Sequence, residues 1–229
     1  MRTSSQRVPV LSCLILAGGH SRRMGQDKAL LPMQDGRSLL LQTVQTAQQV
    51  TPNVAVITPW PNRYRSLLPA DTHLIQEPSA TAQPGCKPSA GPLSGFAYGW
   101  QQMTPSDWCL LLACDLPYLE ASALHNWWTS IVALGQRSHS LGSEAKSNAR
   151  FPMASLAANE KGWEPLCGFY HRSCIPSLRH QLAGQQYAFQ PWLRQQAVTR
   201  YDGASARMFF NCNTPAQWQA IAPNAATSS

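Results

Sequence analysis

The chain has 229 residues, 44% of them hydrophobic, enough to bury one sizeable core and to predict a single domain over residues 1–229. Its formal charge of +7 is scattered with no run of five or six cations, and its eight tryptophans sit mostly beside apolar neighbours, as at Trp127-Trp128, so no nucleic-acid-binding tail or face is expected. The seven cysteines are odd in number and include no C-x-x-C pair, which argues against a zinc site or a disulfide framework and for reduced thiols in the cytoplasm.

Arg2 and Arg7 ahead of Val8–Gly19 loosely imitate a secretory signal, but Pro9 and Ser12 interrupt the apolar run. No stretch reaches the roughly 18 uninterrupted apolar residues that a membrane span needs. Cys13 to Leu16 instead read as a strand that ends at Ala17-Gly18-Gly19, with Arg22, Arg23 and Lys28 following closely. Glycines there let the backbone turn sharply and bring its N–H groups close to an anion. Arg23 and Lys28 add full positive charge, so a polyanion is the implied ligand. The loop lacks both the G-K-[ST] of a P-loop and the third glycine of a dinucleotide fingerprint. By spacing alone it reads as readily as a strand, a turn and a basic solvated surface.

Asp35-Gly36 predicts a turn, and Ser38 caps a helix whose Leu40, Val44 and Ala47 recur at helical spacing. Val54–Thr58 and His73–Gln76 read as strands, with one helix around Arg63 and Leu67-Leu68 between them. This alternation predicts a parallel sheet with crossovers on both faces. Residues 78–90 read as a flexible loop, and G-P-L-S-G (91–95) then opens a helix lined by Phe96, Ala97 and Trp100. Gly91 and Gly95 could also let the backbone lie against a flat base or ribose.

Trp108–Ala113 is the most apolar strand and belongs in the middle of the sheet. Asp115 follows it, where ligands bind in open α/β sheets, and is the candidate metal ligand; a lone Asp before Leu-Pro can equally cap a turn. A helix is predicted from Ser122 with Leu124, Trp127, Trp128 and Ile131 inward, then a flexible loop over 135–150. Strands are predicted at Phe151–Ala157 and Pro165–Tyr170, and helices at Ile175–Leu182 and Tyr187–Gln196. In F-F-N-C-N-T-P (209–215), Thr214, Pro215 and Gln217 form a capping box for a last helix. Residues 1–8 and 223–229 are expected to be flexible termini.

Four strings in order, L-A-G-G-x-S-x-R-M-G-x-D-K-A-L-L, G-P-L-S-G, A-C-D-L-P and F-N-C-N-T-P, closely resemble the molybdenum cofactor guanylyltransferases, the MobA family of nucleotidyltransferases. The resemblance covers most of the chain and implies a Rossmann-like three-layer α/β nucleotidyltransferase fold with a mostly parallel central sheet. It implies transfer of GMP from GTP to molybdopterin, or to its molybdenum-loaded form, with Mg2+ as cofactor and pyrophosphate released. Molybdoenzyme apoproteins would be the further partners.

Carried over residue by residue, it implies that Leu16, Ala17, Gly18, Gly19, Lys28 and Asp115 bind GTP and that Asp115 holds the metal. Arg23, Lys28 and Asp115 would be catalytic. Glu77 stands where relatives commonly carry Asp, Asn213 would face the acceptor, and Thr58 stays unassigned. E-P-L-C-G-F-Y (164–170) resembles the segment on the second substrate's side, while 135–162 is longer than that family usually has. A cytidylyl or sugar-phosphate nucleotidyltransferase, or a non-catalytic molybdopterin carrier, shares the same loop logic.

Overall fold

The computed structural model describes residues 7–19, 26–78, 91–140 and 152–221. Its frame is one sheet of seven strands: β1 (Leu11–Leu16), β2 (Val54–Thr58), β3 (His73–Gln76), β4 (Trp108–Ala113), β5 (Ala154–Asn159), β6 (Gly162–His171) and β7 (Val198–Arg200). They lie in the order β3-β2-β1-β4-β6-β5-β7. β6 pairs antiparallel with both β4 and β5, and every other pairing is parallel, so six strands point one way.

The chain leaves β1 toward β2 on one side and returns to β4 on the other, in register Leu16↔Ala113. Strand order therefore reverses between β1 and β4, and their carboxyl ends frame the crevice where open α/β sheets bind ligands. β4 is the fourth of seven strands and is buried along its whole length, as its unbroken apolar run requires.

Alternate residues of β1 face opposite layers. Cys13 and Ile15 pack under α1 (Leu39–Gln48) and α4 (Ala121–Ser140), through Leu40, Val44, Leu124 and Trp127. Leu14 packs under α3 (Pro92–Gln102), α5 (Ile175–Ala183) and α6 (Phe189–Leu193), through Phe96, Trp100, Leu178 and Trp192. Each fully buried aliphatic or aromatic side chain contributes about 1.5–3 kcal/mol, so the two apolar layers hold the sheet between them. The predicted three-layer fold is the one observed.

Local signals were accurate where side chains settle them. Ser38 caps α1 by accepting from the Leu41 N–H at 3.2 Å, and Pro92 opens α3 behind Gly91, whose φ of +91° suits a residue without Cβ. The capping box of α7 (Pro215–Ile221) is reciprocal: the Gln217 N–H donates to the Thr214 hydroxyl at 3.2 Å, and the Thr214 N–H donates to Gln217 Oε1 at 3.1 Å.

The differences have physical reasons. The single helix expected around Arg63 is a short α2 (Pro61–Tyr64) and one 3-10 turn (Arg65–Leu67). Leu68 is extended because Pro69 follows it and disfavours helical backbone before itself. α6 is half the expected length, since the chain must straighten to lay β7 beside β5. Helix α4 runs to Ser140, so 135–140 is helix where a flexible loop was expected. Leu134 is exposed there, and the polar stretch that follows it carries no apolar period to read. The rest of that expected loop (141–150), most of the 78–90 loop, Phe151 and the far termini lie outside the described residues. Strand β6 begins earlier than predicted and its register against β5 slips between Leu156 and Ala158. Pro165 has no N–H to donate at that excursion.

At the end of β6, His171 packs edge-on against Trp108, and its Nδ1 accepts from the Ser173 N–H at 3.3 Å. Burial holds the imidazole pKa below its ordinary 6.5, although Asp107 pulls the other way. The unfolded chain therefore takes up this proton first, so stability falls as pH drops below 6.5 toward the lowered native value. Melting curves taken above and below that pH should show this decline, and His171→Gln should flatten it. No helix among the described residues is long and apolar enough to cross a membrane.

Candidate functional site

A cleft of about 520 Å3 opens at the carboxyl ends of β1 and β4. Its floor is the turn Leu16–Gly19, tied to both neighbouring strands: the Ala17 N–H donates to the Ile57 carbonyl at 2.9 Å, and the Cys114 N–H donates to the Leu16 carbonyl at 3.2 Å. Gly18 packs closely on its neighbours: a Cβ there would stand 2.6 Å from Glu77 Oε2, so that carboxylate would have to move aside, and 3.3 Å from Pro59 Cδ. The same carboxylate approaches Gly95, where a Cβ would be 3.5 Å from Oε1. Glu77 thus lies between the glycine turn and the start of α3, with Gly91 and Pro92 on the same wall.

Lys28 enters from the other side. It begins a one-turn 3-10 helix (Lys28–Leu30) capped by Asp27, whose Oδ1 accepts from the Ala29 N–H at 3.1 Å. Its ammonium donates to Asn213 Oδ1 at 2.6 Å and stands 3.5 Å from Asp115 Oδ2. Asn213 is held in turn: its N–H donates to Gln217 Oε1 at 2.8 Å, and the neighbouring Cys212 N–H donates to the Asp115 carbonyl at 3.2 Å.

The Lys28 and Asp115 side chains are 15% and 21% exposed, so their attraction is poorly screened by water. Burial pushes the Asp115 carboxyl pKa above its ordinary value, and the Lys28 charge and hydrogen bond only partly oppose this. The chain keeps a costly carboxylate at this point, which is characteristic of working sites.

Of the residues singled out in the sequence, Leu16, Ala17, Gly18, Gly19, Lys28, Glu77, Asp115 and Asn213 all line this cleft. Arg23, with Arg22, lies outside the described residues. Thr58 is buried, and its hydroxyl accepts from the Trp60 N–H at 3.1 Å, a structural duty. The sequence reading missed Asp27, Asn211 and Leu166, which also line the cleft. An Asp two residues before an N–H it can cap was the available signal for Asp27.

Asp115 and Asn213 offer hard oxygen donors that already converge on one cation, which suits a divalent metal sharing its coordination with phosphate oxygens. No cluster of three or more His, Cys, Asp or Glu able to hold a metal alone occurs among the described residues.

A strand-order reversal floored by a glycine turn and flanked by a facing lysine and carboxylate is the arrangement of a nucleotidyltransferase. Solved structures share the fold. Molybdopterin-guanine dinucleotide biosynthesis protein A from Archaeoglobus fulgidus matches with a TM-score of 0.65 at 16% identity, covering 93% of this chain and 97% of its own. A Mycobacterium tuberculosis protein solved in complex with manganese matches with a TM-score of 0.59 at 14% identity, over 94% and 99% of the two chains.

The chain belongs to the family described as "MobA-like NTP transferase domain", whose model matches residues 13–201. A Nostoc protein named "Probable molybdenum cofactor guanylyltransferase" is 40% identical over 210 residues, 90% of this chain and 87% of the relative.

Proposed function

We propose that this protein transfers GMP from GTP to molybdopterin, or its molybdenum-loaded form, giving a guanine dinucleotide cofactor and pyrophosphate. The observation that carries this reading is the meeting of Lys28 with Asp115 and Asn213 above the glycine turn, within a chain 40% identical to a relative so named.

The acceptor's phosphate monoester is largely ionised at neutral pH and attacks the α-phosphorus of GTP in line, so no general base is required. The main barriers are bringing anions together and the charge that builds on the departing pyrophosphate. In this reading the N–H groups of the Leu16–Gly19 turn cradle the phosphates, and Lys28 neutralises the β- and γ-oxygens together with Arg23. Asp115, with Asn213 beside it, holds Mg2+, which when bound supplies further positive charge to the phosphates. Glu77 orients the nucleoside against Gly18 and Gly95. Leu166 lies on the acceptor's side of the cleft. The reaction belongs in the cytoplasm, where the thiols of the six described cysteines stay reduced, and molybdoenzyme apoproteins receive the product.

The test is pyrophosphate release by the purified chain with each of the four ribonucleoside triphosphates, Mg2+ and molybdopterin. Release from GTP alone, dependent on the acceptor, is the expected result. Release from CTP alone would make it a cytidylyltransferase, and nucleotide binding without release would make it a carrier.

A further inference from the structure

We propose that Tyr64 is a positioning residue for Lys28, acting through Asp27. The inference rests on the functional reading above and adds to it a part of the machinery contributed by α2, outside the cleft.

Lys28 sits on a single 3-10 turn, and one turn of helix has almost no stability of its own. Beside the burial of Ala29 and Leu31, the Asp27 carboxylate ties it down. One oxygen caps the turn at the Ala29 N–H; the other accepts from the Tyr64 hydroxyl at 2.7 Å and from the Arg63 guanidinium at 2.9 Å. Three donors, one two residues on and two from α2, 36 and 37 residues away in sequence, fix the plane of one carboxylate. The cap oxygen cannot rotate away without breaking the other two bonds.

The two donors differ in kind. Arg63 is largely exposed, lies over the face of Trp60 at 4.8 Å, and makes a solvent-screened contact worth little by itself. Tyr64 is fully buried, with its ring in the layer that includes Ala29, Leu40 and Val56. Burial and the adjacent Asp27 charge both push its pKa up, so the phenol remains a donor throughout the working pH range. A buried tyrosine could be there for its ring alone. Its hydroxyl, however, is directed at the oxygen that shares a carboxylate with the cap of Lys28. A phenylalanine would fill the same space and leave that oxygen to Arg63.

Positioning matters because charge stabilisation in phosphoryl chemistry depends on sub-ångström placement, and small displacements cost large factors in rate. Tyr64→Phe removes one oxygen and keeps the packing.

The experiment measures kcat and KM for GTP by pyrophosphate release, and the melting temperature, for wild type, Tyr64→Phe, Lys28→Ala and the double variant. Asp27→Asn and Asp27→Ala are run alongside. Tyr64→Phe should lower kcat about tenfold with KM for GTP within about twofold, and in the Lys28→Ala background it should cost less than about twofold. Asp27→Asn, which retains an oxygen for the cap, should fall between wild type and Asp27→Ala.

A tenfold loss that persists undiminished without Lys28 would mean that Tyr64 acts on the fold in general and overturns the proposal. Unchanged kcat in Tyr64→Phe also overturns it. If the wild-type chain turns over no triphosphate, the functional reading fails and takes this inference with it; a working wild type with an additive cycle defeats the inference alone.

Discussion

Lys28→Ala should lower kcat for pyrophosphate release about 10³-fold, equivalent to about 4 kcal/mol of transition-state stabilisation. The size follows from place and charge. The ammonium lies in a cleft where its side chain is only 15% exposed, so its field acts on nearby oxygens with little screening. In GMP transfer the negative charge that grows on the leaving pyrophosphate needs a cation already in position, since a cation that reorganises during the reaction contributes less. The fold should survive, because Lys28 rests on a rim turn, and Asp115 and Asn213, which it meets, belong to the cleft and not to either apolar layer. The measurement is steady-state pyrophosphate release beside a thermal melt. A Lys28→Ala enzyme within a few-fold of wild type would remove the central assignment.

Much of this site was legible before any coordinates, and its limits are physical. A strand buried on both faces is written as an unbroken apolar run, so Trp108–Ala113 could be placed at the centre with its exact ends. A turn that passes close to a side chain favours glycine, as Gly18 beside Glu77 illustrates. What spacing alone does not encode is the pairing of distant residues: Lys28 meets Asp115 across 87 positions and Asn213 across 185. Only the order of four motifs pointed to one cleft. Tyr64 carried no signal, because a buried tyrosine in a short helix looks like core until its hydroxyl is seen against Asp27. β7 was invisible for a different reason: three residues, Val198 to Arg200, are too few to show alternation, and its parallel pairing with β5 follows the crossover through α5 and α6.

Asp115→Asn is expected to cost activity on a scale approaching the loss of Lys28 and to leave the fold at least as stable. Asn keeps nearly the same shape and one oxygen, so α4, β4 and the Cys212 contact to the residue 115 carbonyl need not move. It removes the carboxylate charge, and with it the strongest oxygen donor for a hard divalent cation. Turnover should drop about 10²- to 10³-fold, and raising the Mg2+ concentration should recover part of it. The effect on folding follows from the direction of the pKa shift. Burial raises the Asp115 pKa in the folded chain, so the native state binds this proton more tightly than the unfolded state and loses stability as pH rises through the interval between the two values. At neutral pH the ionised carboxylate is therefore a net cost to the fold, even with Lys28 beside it. A neutral isostere relieves that cost, and the variant should melt at or above the wild-type temperature while losing activity, as is common for sites held against the preference of the fold. Retained turnover, or a marked fall in melting temperature with Asn at this position, would show that Asp115 serves the scaffold and not the chemistry.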